Sequence, residues 1–335
     1  MRIALDAMGT DLHPQVEVEG AIEALRELPG DFEVVLVGDR EAIARELATR
    51  ADYPAERLSV LHASEAIAPG EAPATAVRRK PDSSIVVGVS LQRERKADAF
   101  VSAGSTGAVM AASLFILRPL PGVDRPAVAT MLPTAADPVL MLDAGANVDS
   151  KPHHLLQFAH LGVIYAMDVL GRKAPRVGLL NIGEEPEKGN ELALETHQLL
   201  RESSLNFVGN VEGRDVVRGR CDVLVTDGFV GNVLLKFYES VTGFVYEAAT
   251  GQKAPAPGKA PSKIWEPLDY TTYGGAPLLG VNGVSIICHG GSPPVAIRNA
   301  IGVAIQAVRT NMVGHMQQQL GGALASGERR LAEGA

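Results

Sequence analysis

Short apolar runs alternate with helix-period segments along nearly the whole of this sequence, an order that few architectures can satisfy. Runs at 2–6, 33–38, 58–62, 98–102, 128–132, 139–142, 176–181, 206–209, 222–226 and 284–288 predict strands. Segments 16–28, 40–50, 106–117, 155–170, 190–203 and 294–312 predict helices between them. The expected fold is a three-layer α/β/α arrangement with a mostly parallel sheet. Segment 155–170 is apolar nearly all round, so it should lie between the sheet and a further layer, such as a second subunit. Two stretches lack any core-forming period. Residues 250–263, TGQKAPAPGKAPSK, read as a Pro-rich loop, and 321–335 as a flexible tail. With 335 residues available, 1–320 is read as a single α/β catalytic domain.

Charge and composition narrow the function. A formal net charge of −8 argues against a nucleic-acid partner, since a phosphate backbone requires a basic face. Aromatics at 4% leave few platforms for stacking bases or sugars. Cys221 and Cys288 cannot build a disulfide framework or a paired-cysteine metal site, and Cys288, at a strand end, reads as a small buried residue. Met1 leads into an apolar run too short for a signal-peptide core. The stretch 101–117 is broken by Gly104, Ser105, Thr106 and Gly107, so a cytoplasmic location is expected.

The chemistry lies in a recurrence. Six predicted strands end in a polar residue closely followed by glycine: Asp6-Ala-Met-Gly9, Ser102-Ala-Gly104, Asp143-Ala-Gly145, Asn181-Ile-Gly183, Asp227-Gly228 and His289-Gly290-Gly291. Ligands of open parallel sheets bind outside the carboxyl ends of the strands, and glycine lets the backbone approach them. One such turn is ordinary; six with polar side chains suggest a site. Three suit anions. Ser102-Ala-Gly-Ser-Thr-Gly107 places amides and two hydroxyls at a helix start, although Ser105 there could simply be an N-cap. Lys188-Gly-Asn190 adds an ammonium at another helix start. Asp143-Ala-Gly-Ala-Asn147, with Lys151, mixes acid, amide and ammonium groups.

No dinucleotide fingerprint, Walker loop or serine-hydrolase elbow is present. His153, His154 and His160 lack the spacing of a metalloprotease helix and read as surface or packing residues. The run Arg78, Arg79, Lys80 stands out in an acidic chain. Read as a loop, it is either solvated or a docking patch for an acidic partner.

In order as well as in type, these turns resemble the phosphate acyltransferase family of bacterial phospholipid synthesis. The likeness rests on Ile3-Ala-Leu-Asp-Ala-Met-Gly9 with Asp11, Val77-Arg-Arg-Lys80 with Ser83-Ser84, and Ser102-Ala-Gly-Ser-Thr-Gly107. It continues through Asp124-Arg-Pro-Ala127, Leu142-Asp-Ala-Gly-Ala-Asn-Val148, Lys151-Pro152, Gly178-Leu-Leu-Asn-Ile-Gly183 and Lys188-Gly-Asn-Glu191. Gly209-Asn-Val-Glu212, Thr226-Asp-Gly-Phe-Val-Gly-Asn232, Tyr273-Gly-Gly275 and His289-Gly290 complete a collinear set. The resemblance implies transfer of a fatty acyl group from acyl carrier protein thioester to inorganic phosphate, giving acyl phosphate. It implies a fold similar to isocitrate and isopropylmalate dehydrogenases and phosphotransacetylases, and a homodimer using no metal or other cofactor. The family often carries, before Tyr273, an amphipathic hairpin linked to peripheral membrane contact. The Pro-rich 250–263 stands there instead, which puts such contact in doubt.

On that basis Gly104, Ser105, Thr106, Gly107 and Lys188 are expected to hold phosphate. Asn147 or Asn190 should donate to the developing oxyanion, and Asp143 or Asp227 should orient a lysine or the attacking phosphate. Asp6, Gly9, Asp11, Lys151, Asn232 and His289 are further substrate-site candidates, and Arg78, Arg79 and Lys80 should meet the acidic carrier protein. Three rival readings stay open: an acyl-CoA phosphotransferase, an oxidoreductase by fold analogy, and a non-enzymatic docking scaffold.

Overall fold

The computed structural model describes residues 1–50, 52–255, 258–259, 265 and 268–320. They fall into two compact units: Met1–Arg118 with the described part of Pro255–Arg309, and Pro119–Ala254 with residues 310–320.

The first unit holds β1 (Arg2–Asp6), β2 (Glu33–Gly38), β3 (Leu58–His62), β4 (Ala99–Ser102), β10 (Ala276–Leu279) and β11 (Ser285–Ile287). Their order is β3-β2-β1-β4-β11-β10, parallel except where β10 runs against β11. Ile3, Ala4, Leu5 and Asp6 are all buried, as expected of a strand covered on both faces. One helical layer pairs α1 (Gln15–Glu27) with α10 (Pro294–Arg309). Another joins α3 (Pro73–Arg79), α4 (Ser84–Arg93) and α5 (Thr106–Ile116). α2 (Arg40–Ala48) begins on Asp39, whose Oδ1 accepts from the amides of Glu41 and Ala42.

The second unit holds β5 (Ala127–Leu132), β6 (Val139–Leu142), β7 (Val177–Asn181), β8 (Phe207–Glu212) and β9 (Val223–Val225). The order is β5-β6-β9-β7-β8, with β5 antiparallel to β6 and the rest parallel. α6 (Pro152–Asp168) packs on β6 and β9 and against α7 (Glu191–Glu202). Its Leu155, Phe158, Leu161, Ile164 and Tyr165 are buried, which accounts for its apolar circumference. α8 (Gly213–Val216) is a single turn. α9 (Gly228–Thr250) is the longest helix among the described residues.

The α/β class with a mostly parallel sheet and flanking helices is as expected, and most predicted elements lie within two residues of their observed bounds. Several elements differ. Residues 73–79 are helical, so Arg78 and Arg79 sit on the last turn of α3 rather than in a loop. β10 was not anticipated, because Pro277 and the preceding Gly274-Gly275 read as a turn. α9 was not anticipated either; Gly228, Gly231 and Gly243 with four valines give it weak helix propensity. It ends at Gly251, whose φ of 68° supplies the left-handed cap, so the Pro-rich stretch starts after a helix stop. Residues 256–257 and 260–263 of that stretch, and the tail 321–335, lie outside the described residues.

Candidate active site

The six polar-glycine turns gather into two clusters, three in each unit. In the first unit the turns after β1, β4 and β11 meet. Asp6, fully buried, accepts from the Ser102 hydroxyl at 2.7 Å and from the Met8 amide at 3.0 Å. Burial is the larger influence on its carboxyl and pushes its pKa up, against the lowering effect of these bonds. Gly9 lies so close to the 103–104 backbone that an added Cβ would fall 2.6 Å from the Gly104 nitrogen. The Asp11 amide donates to the Gly290 carbonyl at 2.9 Å, joining the third turn, and His289 Nδ1 accepts from the Gly291 amide at 3.2 Å. Asp6 and Ser102 thus fix the loops. Asp11 and His289 remain exposed at the rim.

Ser105 is the N-cap of α5; its Oγ accepts from the Ala108 amide at 3.4 Å, which leaves its hydroxyl proton free to donate. Thr106 beside it is exposed. One functional side chain escaped the sequence reading. Glu17 of α1 is buried and accepts the Thr10 amide at 2.7 Å, holding the loop after β1 from behind. Its only signal was an acid on the inward face of α1. Burial raises its pKa to about 7.

In the second unit the turns after β6, β7 and β9 meet. Asp143 is buried, and its oxygens accept from the amides of Val128, Gly145, Ala146 and Asn147. It also accepts from Asn147 Nδ2 at 3.0 Å, and burial is the larger influence, raising its pKa. Both amide hydrogens of Asn147 are taken, by Asp143 and by the Pro126 carbonyl at 2.8 Å. Asn190 is different. It caps α7 through Oδ1, which accepts the Ala193 amide at 2.9 Å, so its exposed Nδ2 can donate outward. Asp227 caps α9, with Oδ1 accepting from Phe229 and Val230; Oδ2 is spared. Lys188 and Lys151 are exposed, and neither ammonium forms an ion pair among the described residues. Asn232 is exposed on the first turns of α9, facing Gly145.

Asn190 and Asp227 open on a cavity of about 530 Å³ within this unit. Asn181 and Thr226, also missed as site residues, are the other polar side chains lining it. Asn181 donates to the Lys188 carbonyl at 2.9 Å and so fixes the 182–189 loop. The remaining walls are apolar and come from β7, α6, α7 and α9.

Away from these clusters, Arg78 and Arg79 are exposed, Arg78 stacking over the Phe115 ring at 4.9 Å. Lys80 turns inward, bonding Glu71 at 2.7 Å and the Ala66 carbonyl at 2.8 Å. Asp124, His153 and His154 have ligand atoms within 4.8 Å of one another. His154 Nδ1, however, accepts the Lys151 amide at 3.0 Å, which keeps its proton on Nε2 and spoils it as a ligand. Glu184, Glu212 and Asp215 also cluster, but Arg214, Arg218 and Arg220 pair with them. Both thiols are buried, and burial pushes Cys221 and Cys288 up to about 12, far from a reactive thiolate.

A family model described as fatty acid synthesis protein matches residues 1–315. The chain belongs to that family. Phosphate acyltransferase of Heliobacterium modesticaldum is 52% identical over 333 residues, covering 96% of this chain and 98% of that protein. Phosphate acyltransferase of Desulforamulus reducens is 49% identical, covering 96% and 97%. Among solved structures, EutD phosphotransacetylase from Staphylococcus aureus superposes with a TM-score of 0.61. It covers 92% of this chain and 94% of that one; at 17% identity the likeness shows the fold alone. No described helix is long and apolar enough to cross a membrane.

Proposed function

We propose that this chain is a phosphate acyltransferase that moves a fatty acyl group from acyl carrier protein thioester to inorganic phosphate. The observation that supports it most is the polar end of an otherwise apolar cavity, where Asn190 and Asp227 stand beside the Lys188 loop. Near-full-length likeness to phosphate acyltransferases points the same way. Residues 1–320 are read as one catalytic domain.

Phosphate near neutral pH is already partly a dianion and needs little activation. What the protein must supply is position and charge stabilisation. A phosphate oxygen attacks the thioester carbonyl carbon, the carbonyl oxygen becomes an oxyanion, and the C–S bond then breaks. The departing carrier thiolate takes the proton that phosphate sheds, giving acyl phosphate and free thiol. In the first unit Gly104, Ser105, Thr106 and Gly107 at the start of α5 are assigned to phosphate; in the second, Lys188 carries that assignment. Asn190 Nδ2 is assigned to the oxyanion, because both hydrogens of Asn147 are already engaged. Asp143 and Asn147 then act as positioning residues that shape the 143–147 turn. Asp227 orients phosphate or a lysine through Oδ2. Lys151 and Asn232 are further substrate-site candidates in the second unit; Asp11 and His289 are those of the first, where Asp6 and Gly9 fix the loops.

Arg78 and Arg79 are the proposed docking site for the acidic carrier protein, with Lys80 holding their helix. A homodimer is proposed on Val241, Phe244 and Val245, the large apolar side chains that the second half of α9 leaves exposed. Membrane contact is left out of the proposal, since the Pro-rich stretch after α9 lacks an amphipathic pattern.

Rapid quenching after mixing with acyl carrier protein thioester and phosphate tests the direct attack. Free thiol and acyl phosphate should appear together, with no acylated enzyme. A burst of covalent acyl-enzyme before acyl phosphate contradicts it.

A further inference from the structure

The walls of the 530 Å³ cavity in the second unit distinguish its two ends. Its polar side chains are Asn181, Asn190, Thr226 and Asp227, all at strand ends or helix starts. From there α9 runs outward and contributes Val230, Val233, Leu234 and Phe237 to the lining, opposite Leu179 and Leu180 of β7 and residues of α7. Val233 is 55% exposed and Phe237 65%, an unusual cost for side chains that could have been polar on a helix surface. Among the described residues no lysine or arginine lines the cavity, so no cation there favours a free carboxylate.

From this geometry we infer that the cavity is the acyl-chain groove, with the thioester carbonyl at the Asn190–Asp227 end and the hydrocarbon laid along α9 toward Phe237. The inference rests on the proposed function and deepens it. A neutral acyl thioester is polar at one end only, which matches a groove polar at one end only. The ten steps from Asp227 to Phe237 span about 15 Å at about 1.5 Å of helix rise per residue. With C–C bonds of about 1.5 Å in a zigzag, that length takes a chain of roughly twelve carbons. Phe237 then marks where chain-length discrimination ends. Carbons beyond it leave the groove and gain little.

The test compares acyl carrier protein thioesters from hexanoyl to hexadecanoyl on the full chain and on Val233→Trp and Phe237→Ala. For the unaltered protein, kcat/KM should climb up to about fourfold per methylene, then level off near dodecanoyl. Val233→Trp should fill the groove and cut the dodecanoyl-to-hexanoyl ratio at least tenfold. Phe237→Ala should reduce the gain from the last carbons. A chain-length profile identical in all three proteins overturns the inference. So does a profile that is unchanged while sedimentation shows Val233→Trp altering the oligomeric state, because a second copy of the chain then occupies the groove. Direct binding of a fluorescent polyene fatty acyl thioester separates the two levels of the argument. It should weaken at least tenfold in Val233→Trp even if no acyl phosphate forms, an outcome that would strike the proposed function and leave the groove. Undiminished binding overturns the groove itself.

Discussion

Asn190 and Asn147 look alike in the sequence, each an asparagine a few residues past a strand end, yet the fold gives them different work. One spends only its oxygen, on the α7 cap; the other spends both its hydrogens inside the 143–147 turn. Asn190→Asp keeps the cap, because aspartate caps as well as asparagine, but removes the donor. It should lower kcat by about 10²–10³ with thermal stability nearly unchanged, as steady-state kinetics and a melting curve would report. Glu17 gives a second residue-scale expectation. Burial raises its carboxyl from the ordinary 4.5 to about 7, so the folded chain binds that proton more tightly than the unfolded chain. The associated stability is complete below about pH 4.5 and is lost as pH rises through about 7. Glu17→Gln should therefore match the parent near pH 4 and exceed it at pH 8 by up to about 3 kcal/mol, read from urea midpoints at both values. Equal loss at both pH values would mean that the charge is needed. The polar-glycine turns were legible as a set because glycine and a polar residue at a strand end are local features. Which hydrogens stay free was not, since that depends on partners such as Pro126 and Val128 that sequence does not place beside them.

Among the elements, the strands were the most legible. β1, β2, β3 and β6 match their expected bounds; β1, β2 and β6 are buried, short, apolar and sharply ended. α9 was hidden for the opposite reason. Gly228 and Gly231 answer to close packing rather than to helix propensity, and the exposed apolar side chains of α9 follow no single buried face. Gly231 shows the constraint: an added Cβ would collide with the Asp143 carbonyl oxygen. Gly231→Ala should push the first turn of α9 off the 143–147 turn, costing about 1–3 kcal/mol and most of the activity. Denaturant unfolding alongside turnover would check both; a fully stable and active variant would show that the turn yields freely.

At the scale of the whole molecule, a chain of net charge −8 that concentrates two exposed arginines on one helix end invites steering of an acidic partner. Charge reversal at Arg78 and Arg79 should lower kcat/KM for the carrier-protein thioester by about tenfold or more at low salt. The difference should fade as salt rises. Turnover of a small thioester lacking the carrier should not respond. The central claim, though, concerns which atom accepts the acyl group. Incubating the protein with acyl carrier protein thioester and radiolabelled inorganic phosphate decides it: label should pass into a lipid-extractable acyl phosphate, one for each thiol released. Thiol release with all label remaining as inorganic phosphate would contradict the account.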